Sequence, residues 1–180
     1  MTDEAKVDGS CNHWTTIPSK ALRHSVKQVI EFNTNPMFRE FGDARKLSFQ
    51  QILKHAERVE SEQVRMHSDF YHRNRIPVIH RRAEFVDSHT IKLTGKRDKL
   101  SADYFLIATG SRSYHPPGVD FSHSLLLNSD TILTPNHSPR KVTVIGAGVI
   151  GCEYASIFGG LGAKVELINP SNSLLTFLDT

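Results

Sequence analysis

Apolar positions along the chain switch between a helical and a strand-like period, and the switches divide it into elements. Residues 1–17 are polar and irregular. Pro18 stands where the first turn of a helix accepts it, because the N–H it lacks would have no partner there. Leu22, Val26, Val29 and Ile30 then recur at helical spacing, with Arg23, His24, Lys27 and Gln28 on the other side. Asn33-Thr34-Asn35-Pro36 ends that helix. A second helix is predicted from near Ser48 to Arg73, its stripe made by Ile52, Ala56, Val59, Met66 and Phe70 and interrupted by Gln63. It is long for a small domain and is expected to pack that one stripe on a sheet.

The period then shortens to two. Val78-Ile79-His80, Ala83-Glu84-Phe85-Val86 and Thr90-Ile91-Lys92-Leu93 are separated by polar turns and predict a small antiparallel meander. Tyr104-Phe105-Leu106-Ile107-Ala108 is continuously apolar, the pattern of a buried central strand. Residues 111–140 are rich in Pro, His, Ser and Asn, and Pro135 to Pro139 reads as a crossing between domains. Val142-Thr143-Val144-Ile145 predicts a strand, Tyr154, Ile157, Phe158 and Leu161 a helix, and Val165-Glu166-Leu167-Ile168 a second strand. No internal repeat or low-complexity segment is evident.

Composition narrows the function classes. With 180 residues, 38% hydrophobic and 23% charged, the chain has the makeup of an ordinary globular protein. A net charge of +3 is too small an excess to argue for nucleic acid. The basic cluster Arg73, Arg75, Arg81 and Arg82 lacks interleaved aromatic stacking positions and reads as a solvated hairpin edge. No apolar run reaches membrane-spanning length, and the first residues resemble no secretory signal. Cys11 and Cys152 make no disulfide framework, so a cytoplasmic setting is expected. The ten histidines match no zinc spacing.

Between the last two predicted strands lies Gly146-Ala147-Gly148-Val149-Ile150-Gly151. A strand, this turn, a helix and a second strand together form a dinucleotide-binding βαβ unit. Gly146 permits the tight turn, Gly148 lets a pyrophosphate approach the backbone, and Gly151 allows close helix–strand packing. The phosphates would sit on free N–H groups at the positive end of the helix. About 20 residues after the turn, such units place an acid on the ribose; here Asn169 stands there. It can hydrogen-bond a ribose without repelling a 2′-phosphate, so neither strict NAD nor strict NADP selectivity is expected.

Cys11-Asn12-His13-Trp14-Thr15-Thr16-Ile17-Pro18-Ser19-Lys20 is the second signal. It resembles the active-site helix of the flavoprotein disulfide reductase superfamily, in which a cysteine, four residues and a second cysteine precede Ile-Pro-Ser-Lys. Thr16 occupies the second cysteine position, and one sulfur cannot run a dithiol relay. The branch that lacks this cysteine is the soluble pyridine nucleotide transhydrogenases. Similarity to that branch extends through Phe105–Arg112, Tyr114-His115-Pro116, Gly146–Phe158, Leu174-Leu175 and Phe177-Leu178-Asp179.

The resemblance implies an FAD enzyme that passes hydride from NADPH to NAD⁺ through the flavin. Its fold class would be α/β: a partial FAD- and NAD(P)-binding fold with two dinucleotide domains, long helices, an antiparallel meander and a C-terminal Rossmann βαβ unit. Residues 1–136 would be a partial FAD-binding domain lacking its first βαβ, and residues 137–180 the start of the NAD(P)-binding domain. Gly9, Ser10 and Cys11 would lie along FAD, the backbone around Ala83 would approach its adenine, and Thr109 and Gly110 would contact it where the chain leaves that domain. Lys20 would pair with Glu153 beside the flavin, where a cation stabilises the anionic reduced form and the carboxylate moderates the lysine. Cys11 would face the flavin; the alternative is an inert small residue. Cys152, just inside a helix N-terminus, is expected to serve packing. Two further departures from the family pattern are Asp8-Gly9-Ser10, which shortens the usual glycine-rich stretch, and Arg81, where a glycine is usual.

On this resemblance the chain is an internal piece of such an enzyme, and a homo-oligomer is expected for the full-length family rather than for this piece. Two alternatives stand beside it. One is a dihydrolipoamide-dehydrogenase-like flavoprotein that has lost its dithiol. The other is a catalytically dead fragment that binds nucleotide weakly, its unpaired sheet edges prone to aggregation.

Overall fold

The computed structural model describes residues 9–40, 48–95, 98–135 and 137–175. Asp8 and the Phe177-Leu178-Asp179 stretch lie outside them. A short helix α1 (Gly9–His13) leads into α2 (Thr16–Thr34), then α3 (Pro36–Arg39) and the long α4 (Phe49–Arg73). A meander follows, made of β1 (Ala83–Asp87), β2 (Thr90–Leu93) and β3 (Lys99–Ser101), and the last unit is β4 (Lys141–Ile145), α5 (Val149–Gly160) and β5 (Lys164–Ile168).

The boundaries of the two long helices have local causes. Asn35 ends α2 in an extended conformation and caps α3 by accepting from the Met37 N–H. Ser48 and Gln51 form a reciprocal capping box at the start of α4. The Phe49 N–H, one of the donors left over in that first turn, is taken by Ser138 Oγ at 3.0 Å, which ties the helix to a loop 89 residues away.

The core is helical. Leu22 and Val26 of α2, Phe49, Ile52, Leu53 and Ala56 of α4, and Tyr154, Ile157 and Phe158 of α5 form one buried cluster, with Val142 and Val165 of the parallel pair packed on it. The Phe49 and Phe158 rings meet at 5.4 Å. Helices α2 and α5 approach closely because Gly160 has no side chain: a Cβ there would lie 2.5 Å from Val26 Cγ1 and 3.0 Å from Ile30 Cδ1.

Three expectations are corrected. The stripe of α4 packs on α2 rather than on a sheet, and only its first half is covered, leaving Met66 and Phe70 exposed. An amphipathic stripe specifies an apolar partner but not its type. Val78-Ile79-His80 is not a strand; only Ile79 makes an isolated bridge, and the third strand of the meander is Lys99-Leu100-Ser101. Three residues of mixed polarity carry no alternation to detect, and β2 recruits them through backbone pairing. Tyr104–Ala108 is not a buried central strand. No described strand pairs with it, and Tyr104 and Leu106 are 93% and 94% exposed. Phe105 meets the ring of Phe85 at 5.1 Å.

Candidate functional site

Parallel strands β4 and β5 pair in register from Lys141 with Lys164 to Ile145 with Ile168. At the C-terminal end of β4 the chain turns through Gly146 at φ +106°, a conformation that disfavours a side chain. The Gly146 N–H donates to the Ile168 carbonyl at 2.9 Å, so the turn abuts the end of β5. Gly148 caps α5 in an extended conformation with no side-chain hydrogen bond, and a Cβ built there meets nothing within 4 Å. Its outer face is open, and no acidic residue sits in the first turn. Gly151 is under the opposite constraint. A Cβ there would lie 2.0 Å from the Gly146 carbonyl oxygen and 3.1 Å from its carbon, so only glycine fits without moving the turn. The three glycines thus make a bend, leave an open face and allow a tight packing contact. Cys152 donates its thiol to the Ala147 carbonyl at 3.4 Å, a packing role inside the same turn.

Asn169 lies at the end of β5, next to the turn. Its side-chain amide donates to the Ser171 carbonyl at 2.8 Å and the Ser173 carbonyl at 2.9 Å. The Leu175 N–H donates to the Ala147 carbonyl at 3.3 Å, which brings the following loop back over the glycines.

The second half of the site begins at Gly9, at φ +58°. The Ser10 carbonyl accepts from the Trp14 and Thr15 N–H groups, both at 2.9 Å, and from the Thr15 hydroxyl at 3.1 Å, which fixes the bend from α1 into α2. Cys11 is exposed on α1. Gly110, at φ +71°, faces the Ser10 hydroxyl, which a Cβ at that glycine would approach to 3.8 Å. Thr109 is exposed beside it.

Lys20 Nζ donates to Glu153 Oε1 at 2.6 Å, an ion pair between α2 and α5 across 133 positions of sequence. The lysine side chain is 61% exposed and the carboxylate 14%, so the pair presents its cation outward. The structure therefore brings Lys20 to Glu153 and Ser10 to Gly110. It does not bring Ala83 to either. Ala83 pairs with Leu93 in the meander, which packs on none of the described helices.

Sequence reasoning missed three groups around these residues. His13, buried on α1, donates Nδ1 to Glu60 Oε1 of α4 at 2.6 Å, and Asn12 hydrogen-bonds His67 at 3.3 Å. Together they seat the Cys11-bearing turn on α4. Partners 47 and 55 residues apart leave no local signal. The third is the hydroxyl of Tyr154, buried with no hydrogen-bond partner among the described residues. Burial, reinforced by the Glu153 and Asp130 carboxylates, pushes its pKa up to about 12. Among the described residues no three His, Cys, Asp or Glu side chains converge as metal ligands, and no helix is long and apolar enough to cross a membrane.

The chain matches the pyridine nucleotide-disulphide oxidoreductase family over residues 3–180. It is 54% identical over 181 residues to a soluble pyridine nucleotide transhydrogenase of Marinobacter nauticus and 53% identical over 182 residues to one of Hahella chejuensis. Each match covers 99% of this chain and 39% of the relative, so the chain spans about two fifths of their length. Among solved structures, LpdA from Mycobacterium tuberculosis superposes with a TM-score of 0.86 at 24% identity, covering 97% of this chain and 39% of that one. The HOCl-induced flavoprotein disulfide reductase RclA from Escherichia coli gives 0.78 at 22% identity, covering 99% and 38%. These two likenesses carry the fold, and the match across residues 3–180 carries the family: the chain belongs to the pyridine nucleotide-disulphide oxidoreductases.

Proposed function

We propose that the chain is the flavin–nicotinamide junction of a soluble pyridine nucleotide transhydrogenase, an enzyme that moves hydride from NADPH to NAD⁺. The Lys20–Glu153 pair at 2.6 Å carries this reading. It joins the helix that follows the Cys11 turn to the helix that opens at the glycine turn, so one salt bridge links the two proposed cofactor sites.

Gly9, Ser10, Cys11, Thr109, Gly110 and the backbone around Ala83 would hold FAD, and Gly146, Gly148, Gly151 and Asn169 would hold the nicotinamide dinucleotide. The domain boundary would fall between residues 136 and 137. FAD, when bound, supplies the two-electron carrier. The open first turn of α5 supplies N–H groups to a pyrophosphate. Lys20 holds positive charge beside negative charge, and Glu153, more buried than its partner, fixes where that ammonium sits. Thr16 removes the second sulfur, so Cys11 has no intramolecular thiol at that position to exchange with. Two unpaired cysteines suit a reducing, cytoplasmic setting. Oligomerisation, on this reading, belongs to the full-length protein.

The test is a chimera in which this chain replaces the matching segment of the Marinobacter nauticus relative. The expected product carries flavin absorbance and reduces thio-NAD⁺ with NADPH, and Lys20→Met lowers that rate at least about ten-fold, the scale of one misplaced catalytic charge. A folded chimera with flavin but no transfer overturns the transhydrogenase reading. Lipoamide reduction gained by Thr16→Cys would favour the dihydrolipoamide-dehydrogenase-like alternative.

A further inference from the structure

Helix α4 does two jobs along its length. Its buried residues, Phe49, Ile52, Leu53 and Ala56, all lie near its start and build the core. Further on, Glu60 and His67 take hydrogen bonds from consecutive residues of α1. His13 Nδ1 donates to Glu60 Oε1 at 2.6 Å, and the Asn12 amide donates to His67 Nδ1 at 3.3 Å. Glu60 and His67 stand two turns apart, about 10 Å along the helix, so α1 is held at two places rather than one. A carboxylate only accepts, so His13 Nδ1 carries a proton in this contact.

Helix α1 cannot hold its own shape. It has five residues, far below the length at which a helix stands alone in water. Its side chains step round by about 100° per residue. With Asn12 and His13 turned onto α4 and only 3% and 7% exposed, the Cys11 side chain points elsewhere, and it is exposed. The direction of the sulfur is therefore set by what its two neighbours hold on α4. The same turn carries Ser10, whose carbonyl gathers the Trp14 and Thr15 N–H groups and whose hydroxyl faces Gly110.

We propose that Glu60 and His67 are positioning residues: acting through His13 and Asn12, they fix the direction of the Cys11 sulfur and the place of Ser10 opposite Gly110. Neither belongs to the Cys11 turn or to the glycine turn. Glu60 is the stronger of the two. The His13 side chain is 5% exposed and the carboxylate 22%, so removing Glu60 takes the acceptor from a buried N–H. The consequence for hydride transfer rests on the flavin reading of the Cys11 turn, where a misplacement of about 1 Å costs up to about a hundred-fold in rate.

A nitroxide label on Cys11 of the full 180-residue chain, in a Cys152→Ser background so that one thiol reacts, tests the positioning by electron paramagnetic resonance. Glu60→Ala should narrow the spectrum to that of a mobile label. Glu60→Gln, which keeps a carbonyl acceptor for the His13 N–H, should restore the broad one, and His67→Ala should loosen the label less. Glu62→Ala is the control, because its carboxylate pairs with Arg58 inside α4. In the chimera, Glu60→Ala should lower kcat for thio-NAD⁺ reduction about ten-fold, leave KM for NADPH unchanged and shift the visible bands of the bound flavin, with Glu60→Gln recovering all three. A label as immobile in Glu60→Ala as in the unaltered chain overturns the proposal, as does equal loosening by Glu62→Ala. So does a loosened label beside unchanged kcat and flavin bands, which would make the contact one of packing only. Should Glu60→Ala fail to fold by circular dichroism, His67→Ala and Asn12→Ala carry the same comparison. A chimera that holds flavin but transfers nothing with Glu60 intact counts against the transhydrogenase reading instead, and the label still decides the positioning.

Discussion

Tyr154-Ala155-Ser156-Ile157-Phe158 and Tyr104-Phe105-Leu106-Ile107-Ala108 are five-residue stretches that both begin with tyrosine and end in apolar groups, and they meet opposite fates. Tyr154, Ile157 and Phe158 are buried in the three-helix core, whereas Tyr104, Leu106 and Ile107 are exposed. The second stretch is the more apolar of the two, so hydrophobicity did not decide between them. Backbone hydrogen bonding did. A helix satisfies its own N–H and C=O groups and needs only a side-chain face to dock on, which α2 and α4 supply to α5. A strand must be paired edge to edge before its side chains can be covered, and no described strand lies beside residues 104–108. The proposed site sits on the helical side of this divide, at the α2–α5 contact and the glycine turn.

The sharpest way to break the ordered region is at Gly151. A Cβ there would lie 2.0 Å from the Gly146 carbonyl oxygen, a backbone atom that cannot swing aside as a side chain would. Gly151→Ala should destabilise the β4–α5–β5 unit by more than about 3 kcal/mol, in the range of severe overpacking. Urea unfolding followed by circular dichroism checks this, and a loss below about 1 kcal/mol would show the turn to be far more yielding than its geometry indicates.

A milder probe is the buried hydroxyl of Tyr154, which has no partner among the described residues. Tyr154→Phe removes an unmet polar group at little change in shape, so stability should rise, by up to about 1 kcal/mol. The same residue gives a pH signature. Folding raises its pKa from 10.0 to about 12, so above pH 10 the unfolded chain releases a proton that the folded chain keeps. The unfolded state then binds fewer protons, and stability falls as pH climbs through that window, by an amount on the order of 2 kcal/mol at its upper end. Melting curves across pH 9–12 should show the fall in the native sequence and a shallower one in Tyr154→Phe.

How much of this could be read from residues alone follows the same divide. The two long helices, β4, α5, β5 and the glycine turn were legible because period, caps and glycine spacing are local properties of the chain. Ser48 marked the start of α4 to within a residue, and the glycine order located the bend at Gly146 and the tight contact at Gly151. The exposure of residues 104–108 was not legible, because an apolar run records the capacity to be a central strand and not the presence of neighbours. His13 with Glu60 was invisible for a related reason: the contact exists only once α1 is seated on α4. Asn169 was placed correctly at the strand end by counting, but the commitment of its amide to Ser171 and Ser173 is a property of the folded loop.

Leu106 is 94% exposed, so Leu106→Ser removes almost no buried surface. In the 180-residue chain its unfolding free energy should change by less than about 0.5 kcal/mol, the scale of surface substitutions. An Ile157→Ala control in the same chain should lose about 3 kcal/mol, since that side chain is fully enclosed. Made in the chimera with the longer relative, Leu106→Ser tests whether residues 104–108 are a strand awaiting a partner. If the added chain pairs with them, leucine becomes a core residue and the same substitution should lower stability by about 2 kcal/mol or more. An effect as small there as in the isolated chain would mean that the apolar run stays at the surface in the longer protein as well, and that its composition reflects something other than the sheet.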